Sequence, residues 1–293
     1  MRESIENMRY EAPESLDAAV SLLAGAPGQA RLLAGGTDLL VQLRAGVIEP
    51  ELVVDLKKIP EMHEITAEDG GFRIGGAVTG AELGEHPEVK RLWPGVVEAV
   101  ELIGSTQIQG RATMVGNMCN ASPAADSVPA LIAAGAIVAI TGPGGRREVP
   151  VDEICIAPGK TSLAKGEIVT SILLPARPER SGDAYLRFIP RTEMDIAVVG
   201  AGVSLSLDRG GTCTAARVGL GAVAARPLMV TEAADALIGT PVDQAALAGL
   251  AAAASAACRP IDDKRGTKEY RIKVAGVLAR RAAEIALERA RAR

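Results

Sequence analysis

The chain has 293 residues, a formal net charge of −4 and a pI near 5.5, which excludes the basic face that nucleic-acid binding requires. Hydrophobic residues make up 48% and aromatics only 2%, so a sizeable core is available and must be aliphatic. No apolar run reaches the ~18 residues of a membrane span, and the charged start MRESIENM lacks the apolar core of a secretory signal, so a cytoplasmic protein is expected.

Pro13 is followed by a stretch, 14–24, with apolar positions at helical spacing, Glu14 or Ser15 as cap and Gly25 as stop. Short strand-like runs come next: RLLA at 31–34, ELVVD at 51–55 and GFRIGGAV at 71–78. The first of them breaks into Gly35-Gly36-Thr37-Asp38. Residues 87–103 read as helical with an interruption at Pro94, and 104–123 as loop. The wider stretch 105–129 reads as one long loop with apolar anchors at Ile108, Met114, Val115 and Met118, a length that points to function. ALIAAGAIVAIT at 130–141 passes from a helix end to a strand, and EIVTSILLP at 167–175 is a strand closing on proline.

The polar segment ARPERSGD at 176–183 marks a domain boundary. In YLRFIPRTEMDIA at 185–197, Pro190 forbids a helix through Arg187 and Arg191, so a strand or loop is expected, with Asp195 in a surface ion pair. Runs at 196–207 and 216–223 read as strands, with a hairpin turn at Gly210, Gly211 and Thr212. Helices are expected at 231–238, 243–257 and 270–293. A mixed first part followed by a sheet and then helices gives an α+β class.

Cys119, Cys155, Cys213 and Cys258 are widely separated, without a C-x-x-C pair or a neighbouring histidine, so no metal or iron–sulfur site is expected on this chain, and a reducing compartment fits. The only histidines, His63 and His86, are read as surface or cap residues.

The chemistry concentrates in two stretches rich in small residues. Gly35, Gly36 and Thr37 in one, and Thr113, Gly116 and Asn117 in the other, offer backbone N–H groups that tight turns gather into anion-binding nests. Two facing nests would hold a diphosphate without a lysine. Neither matches a P-loop or a dinucleotide-binding G-x-G-x-x-G. Asp126 is placed to accept from sugar hydroxyls or to cap the helix after it. Asp38, whose charge would repel a diphosphate, is expected to cap its own loop. No side-chain set declares a general acid or base.

LAGGTDL at 33–39, TMVGN at 113–117 running on through ASPAAD at 121–126, Arg187, Arg191 with DIA at 195–197, and CRPIDDKRGTKEYR at 258–271 occur in this order along nearly the whole chain. Together they resemble the FAD-binding medium subunits of molybdenum hydroxylases, the carbon monoxide dehydrogenase and xanthine dehydrogenase group. The resemblance implies a two-subdomain FAD-binding module of the PCMH/CO dehydrogenase flavoprotein type over 1–178 (subdomains about 1–60 and 61–178). A small sheet-plus-helices C-terminal domain would follow over 179–293. It implies that Leu32, Leu33, Ala34, Gly35, Gly36, Thr37 and Asp38 wrap the FAD diphosphate from one side and Thr113, Gly116 and Asn117 from the other. Asp126 would bind sugar hydroxyls, Val169 would give a backbone contact and Ile103 would pack on the flavin or adenine. Arg187 stands where the family often has lysine. The molybdenum cofactor and two [2Fe–2S] clusters would sit on a large and a small partner subunit, in a dimer of heterotrimers, with electrons leaving through FAD to an external acceptor. The alternatives are a free-standing FAD-dependent oxidoreductase on the same fold and a non-redox scaffold with a dead nucleotide site.

Overall fold

A computed structural model describes residues 8–293; residues 1–7 of the charged start, read above for a secretory signal, lie outside the described residues. The first layer is β1 (Arg9–Glu11), α1 (Leu16–Gly25), β2 (Ala30–Leu33), α2 (Leu39–Arg44) and β3 (Leu52–Asp55). Ser15 begins α1, its Oγ accepting the Ala18 N–H at 3.3 Å. The three strands are parallel in the order β1-β3-β2, so the wholly buried LVVD of β3 is central and β2 is an edge. Leu16, Ala19 and Val20 of α1 pack on Leu52 and Val54.

The second layer holds β4 (Ile65–Glu68), β5 (Gly71–Gly75), α3 (Gly80–Glu85), α4 (Pro87–Leu92), α5 (Pro94–Val100), α6 (Thr106–Gln109), α7 (Met114–Cys119) and α8 (Ser127–Ala134). Then come β6 (Ile137–Gly142), β7 (Gly145–Pro150), β8 (Cys155–Ala157), β9 (Lys160–Thr161) and β10 (Ile168–Leu174). An antiparallel sheet runs β4-β5-β10-β6-β7, with the late strand β10 at its centre. Pro94 divides the helical stretch and starts α5 at the first position, where its missing N–H costs nothing. His86 caps α4, its Nδ1 accepting the Val89 N–H at 3.3 Å, and His63 Nε2 lies 3.0 Å from the Lys57 carbonyl.

The stretch 105–129 is not one loop. It contains α6, α7 and the start of α8. Thr113 nucleates α7 by accepting the Gly116 N–H at 2.8 Å, and the apolar anchors Met114, Val115 and Met118 are its buried face. At the end of α8, Gly135 sits at φ +67, a left-handed stop, and donates to Ile132 O.

The third layer is β11 (Ser181–Phe188), β12 (Val199–Leu207), β13 (Cys213–Gly221), β14 (Leu228–Met229), α9 (Thr231–Asp235), α10 (Gln244–Ala257) and α11 (Lys268–Arg291). The strands form an antiparallel sheet in sequence order, and Asp208 Oδ1 closes the β12–β13 turn on the Thr212 N–H at 2.8 Å. α10 and α11 supply one core with this sheet. Its other side receives α5 and α8 of the second layer. All eight residues of α8 are buried as a result. The approach is so close that a Cβ on Gly202 would lie 2.5 Å from Pro129 O, and one on Gly219 would lie closer still. The architecture is α+β, a mixed module followed by a sheet-and-helix unit.

Candidate functional site

The edge strand β2 runs into the turn Ala34–Asp38 before α2 takes over. Gly36 stands at φ +73, which allows the chain to reverse there. The first bonds entering α2 are Leu40 N–H to Gly36 O and Gln42 N–H to Asp38 O, and none starts from an earlier N–H of the turn. The five consecutive N–H groups of Gly35, Gly36, Thr37, Asp38 and Leu39 therefore have no acceptor among the described residues. A run of unpaired donors around a left-handed glycine is an anion nest.

This turn opens into a cleft of about 730 Å³, the size of a cofactor site. Leu32, Ala34, Gly35, Gly36, Thr37 and Asp38 line one wall. Thr113, Gly116 and Asn117 line the facing wall, with Ile103 and Val169 also at the surface of the cleft. The two walls are built against each other. A Cβ on Gly35 would collide with Arg111 O, so that glycine serves the contact between the loops. Gln42 Nε2 donates to Asn120 Oδ1 at 3.2 Å across the same junction. Val169 precedes a β-bulge in β10, beside which Gly76 N–H donates to Thr170 O at 2.8 Å.

Several residues are placed otherwise than the sequence led us to expect. Gly116 and Asn117 do not offer free N–H groups, because the first turn of α7 spends both on Thr113, on Oγ1 and on O respectively. The Val115 N–H, also at the cleft, is left without an acceptor among the described residues. Asn117 turns its Oδ1 to Ser127, accepting from N at 3.1 Å and from Oγ at 2.7 Å, and so caps α8. Asp126 therefore makes no capping bond. Nor does Asp126 line the cleft: it is buried, paired with Arg187 at 3.0 Å and accepting from Tyr185 Oη at 3.2 Å. Burial outweighs these partners and pushes its carboxyl up to about 6.

Arg187, on β11, is equally outside the cleft lining, its guanidinium also donating to Leu102 O at 2.7 Å. Leu33 points beneath the turn, where a Cβ on Gly36 would meet its Cδ1 at 2.8 Å. Asp38 occupies the cap position of α2 but makes no capping bond, and burial raises its carboxyl above the usual range. Asp195 is tied to Arg265 at 3.0 Å as well as to Arg191 at 3.1 Å, and these bonds hold its carboxyl down at about 2. Arg31, Gln42, Asn120 and Lys165 also line the cleft. Nothing local marks them in the sequence, since their presence there depends on which strand is the edge and which loop lies opposite.

Two family descriptions match the chain in tandem: the FAD binding domain in molybdopterin dehydrogenase over residues 6–177, and the CO dehydrogenase flavoprotein C-terminal domain over 184–286. The chain thus belongs to the FAD-binding medium subunits of molybdenum hydroxylases, a class of oxidoreductase. Its relatives are of the CO dehydrogenase and xanthine dehydrogenase type. It is 36% identical to the carbon monoxide dehydrogenase medium chain of Afipia carboxidovorans, over 96% of this chain and 97% of that one. It is 34% identical to a putative xanthine dehydrogenase FAD-binding subunit of Escherichia coli, over 90% of each. The fold superposes on the cyanide-inactivated form of a Cu,Mo-CO dehydrogenase with a TM-score of 0.92 at 36% identity, covering 96% of this chain and 98% of that one. It also superposes on quinoline 2-oxidoreductase of Pseudomonas putida 86 with a TM-score of 0.88 at 29% identity, covering 97% and 98%.

The donors present fit the cofactor of that class. A diphosphate needs several neighbouring N–H groups left free to donate, and the turn from Gly35 to Leu39 supplies them.

Proposed function

We propose that this chain is the flavin subunit of a heterotrimeric molybdenum hydroxylase, holding FAD in the cleft between the β2–α2 turn and α7. The observation that carries the reading is the run of unpaired N–H groups from Gly35 to Leu39 beside a cofactor-sized cleft. These donors bind the diphosphate, and Val115 N–H and the Thr113 hydroxyl meet it from the facing wall. Ile103 and Val169 give the cleft an aliphatic surface that excludes water and supports a planar ring. Arg187 and Asp126 act behind the wall, holding the Leu102–Ile103 backbone and the start of α8.

FAD, when bound, supplies reversible redox chemistry, and this chain's task is to bind and orient it. The module spans 1–178 and the second domain 179–293. A small subunit with [2Fe–2S] clusters delivers electrons, a large subunit with the molybdenum cofactor carries the substrate site, and an external acceptor receives the electrons. The complex is a cytoplasmic dimer of such heterotrimers.

The test is purification of the full chain from its native host. The expected product is yellow, releases FAD on heating and co-purifies with two further chains, one absorbing as [2Fe–2S]. A chain that stays colourless with added FAD defeats the reading. One that turns over fully as a lone flavoprotein favours the free-standing oxidoreductase.

A further inference from the structure

Lys57 lies just after β3, outside the residues that line the cleft, and its ammonium makes three contacts. Two are to the carboxylate oxygens of Asp55, each at 2.8 Å. The third is to the carbonyl of Ala34, at 3.3 Å. Asp55 is 5% exposed, and its Oδ2 also accepts from Tyr10 Oη at 2.5 Å. The Lys57 backbone N–H donates to Asp55 Oδ1 at 2.9 Å, so the lysine is anchored at both ends. In a trans peptide, the C=O and the following N–H point in opposite directions. Holding the Ala34 carbonyl toward the ammonium therefore aims the Gly35 N–H the other way, into the cleft. Gly35 is the first of the five unpaired donors, and its Cα cannot swing, because it is packed on Arg111 O.

We propose that Lys57, held by Asp55 and Tyr10, is a positioning residue for the diphosphate nest: it fixes the Ala34–Gly35 peptide plane in the donating orientation. This rests on the assignment of FAD to the cleft. The lysine lies on the far side of the peptide from the phosphate, so it acts through the backbone.

The experiment compares the deflavinated full chain with Lys57→Met and Lys57→Arg, titrated with FAD by fluorescence quenching, with glycine amides ¹⁵N-labelled. Lys57→Met is expected to weaken FAD binding about tenfold, with Lys57→Arg recovering most of the loss. The Gly35 amide resonance is expected to shift on FAD addition in wild type and to move less in Lys57→Met. If wild type binds FAD and Lys57→Met binds it equally tightly with the same Gly35 shift, the proposal is overturned and the FAD assignment stands. A wild-type chain that binds no FAD overturns both.

Discussion

Asp126 shows how far a single side chain's role depends on its surroundings. A carboxylate beside a cofactor loop reads as a sugar ligand, yet here it is buried with Tyr185 and Arg187. Its carboxyl titrates near 6 instead of 3.8, so the folded chain binds more protons than the unfolded one between those values, and its contribution to stability falls as pH rises through that window. Replacing Arg187 by Met removes the opposing charge. The Asp126 carboxyl should then titrate still higher, as followed by ¹³C NMR. The loss of stability should be about 3 kcal/mol at pH 8 and smaller at pH 5, where the acid is neutral. A pKa that falls in Arg187→Met would contradict the pairing. Gly36 makes a different case. It stands at φ +73, and a Cβ there would meet Leu33 Cδ1 at 2.8 Å. Gly36→Ala should therefore cost about 1–2 kcal/mol in urea unfolding as well as lower bound FAD. Gly36→Val would carry the same backbone strain and press a larger side chain on Leu33 and Leu40 beneath the turn. The pair of glycines was legible as a site. That Gly36 serves the turn and Gly35 the contact with Arg111 was not, because the second role belongs to a segment 76 positions away.

At the scale of elements, local signals did well at Ser15 and Pro94 and failed at the caps expected of Asp38 and Asp126. Ser15 caps and Pro94 breaks as their residue types require, and the hairpin read at Gly210, Gly211 and Thr212 is the turn that Asp208 closes. Local signals also failed over 105–129, where α6 and α7 span only four and six residues and carry too few turns for a periodic pattern. The cap of α8 escaped the sequence for a related reason. The accepting side chain is Asn117, ten residues upstream of Ser127, a separation outside the local capping rules. Asn117→Ala should therefore cost about 1 kcal/mol, measured by denaturant midpoint, with hydrogen exchange accelerating first at Ser127. No change at Ser127 would remove Asn117 from the capping role.

On the scale of the whole molecule, α8 joins the two cores. It belongs by sequence to the second layer, yet it lies against β12 and β13 of the third, seated on Gly202 and Gly219. The buried pair Arg177–Asp183 at 2.6 Å, with Asp183 also accepting the Gly95 N–H at 2.9 Å, ties the connecting segment to α5. Gly219→Ala would drive a Cβ into Pro129 O and should cost about 1–3 kcal/mol. Because the helix belongs to the second-layer core and packs on the back of the third-layer sheet, calorimetry should show one transition moved down, and two separated transitions would show that the cores melt independently. The closing motif acts at the same scale: Arg271, buried, donates to Val198 O at 2.8 Å and to Asp263 at 2.7 Å, pinning the start of α11 to the sheet.

The sequence by itself determined the α+β class, most long elements, the break at Pro94, and both small-residue stretches that face the cleft. Each of these follows from residue type and short-range spacing, which covalent geometry and local hydrogen bonding translate directly into structure. The tertiary structure alone decided which N–H groups remain unpaired, that Asp126 and Arg187 face each other behind the wall, and that Lys57 reaches the Ala34 carbonyl. Those outcomes depend on which partners arrive from distant segments, and a backbone donor is free or spent only once every neighbour is in place.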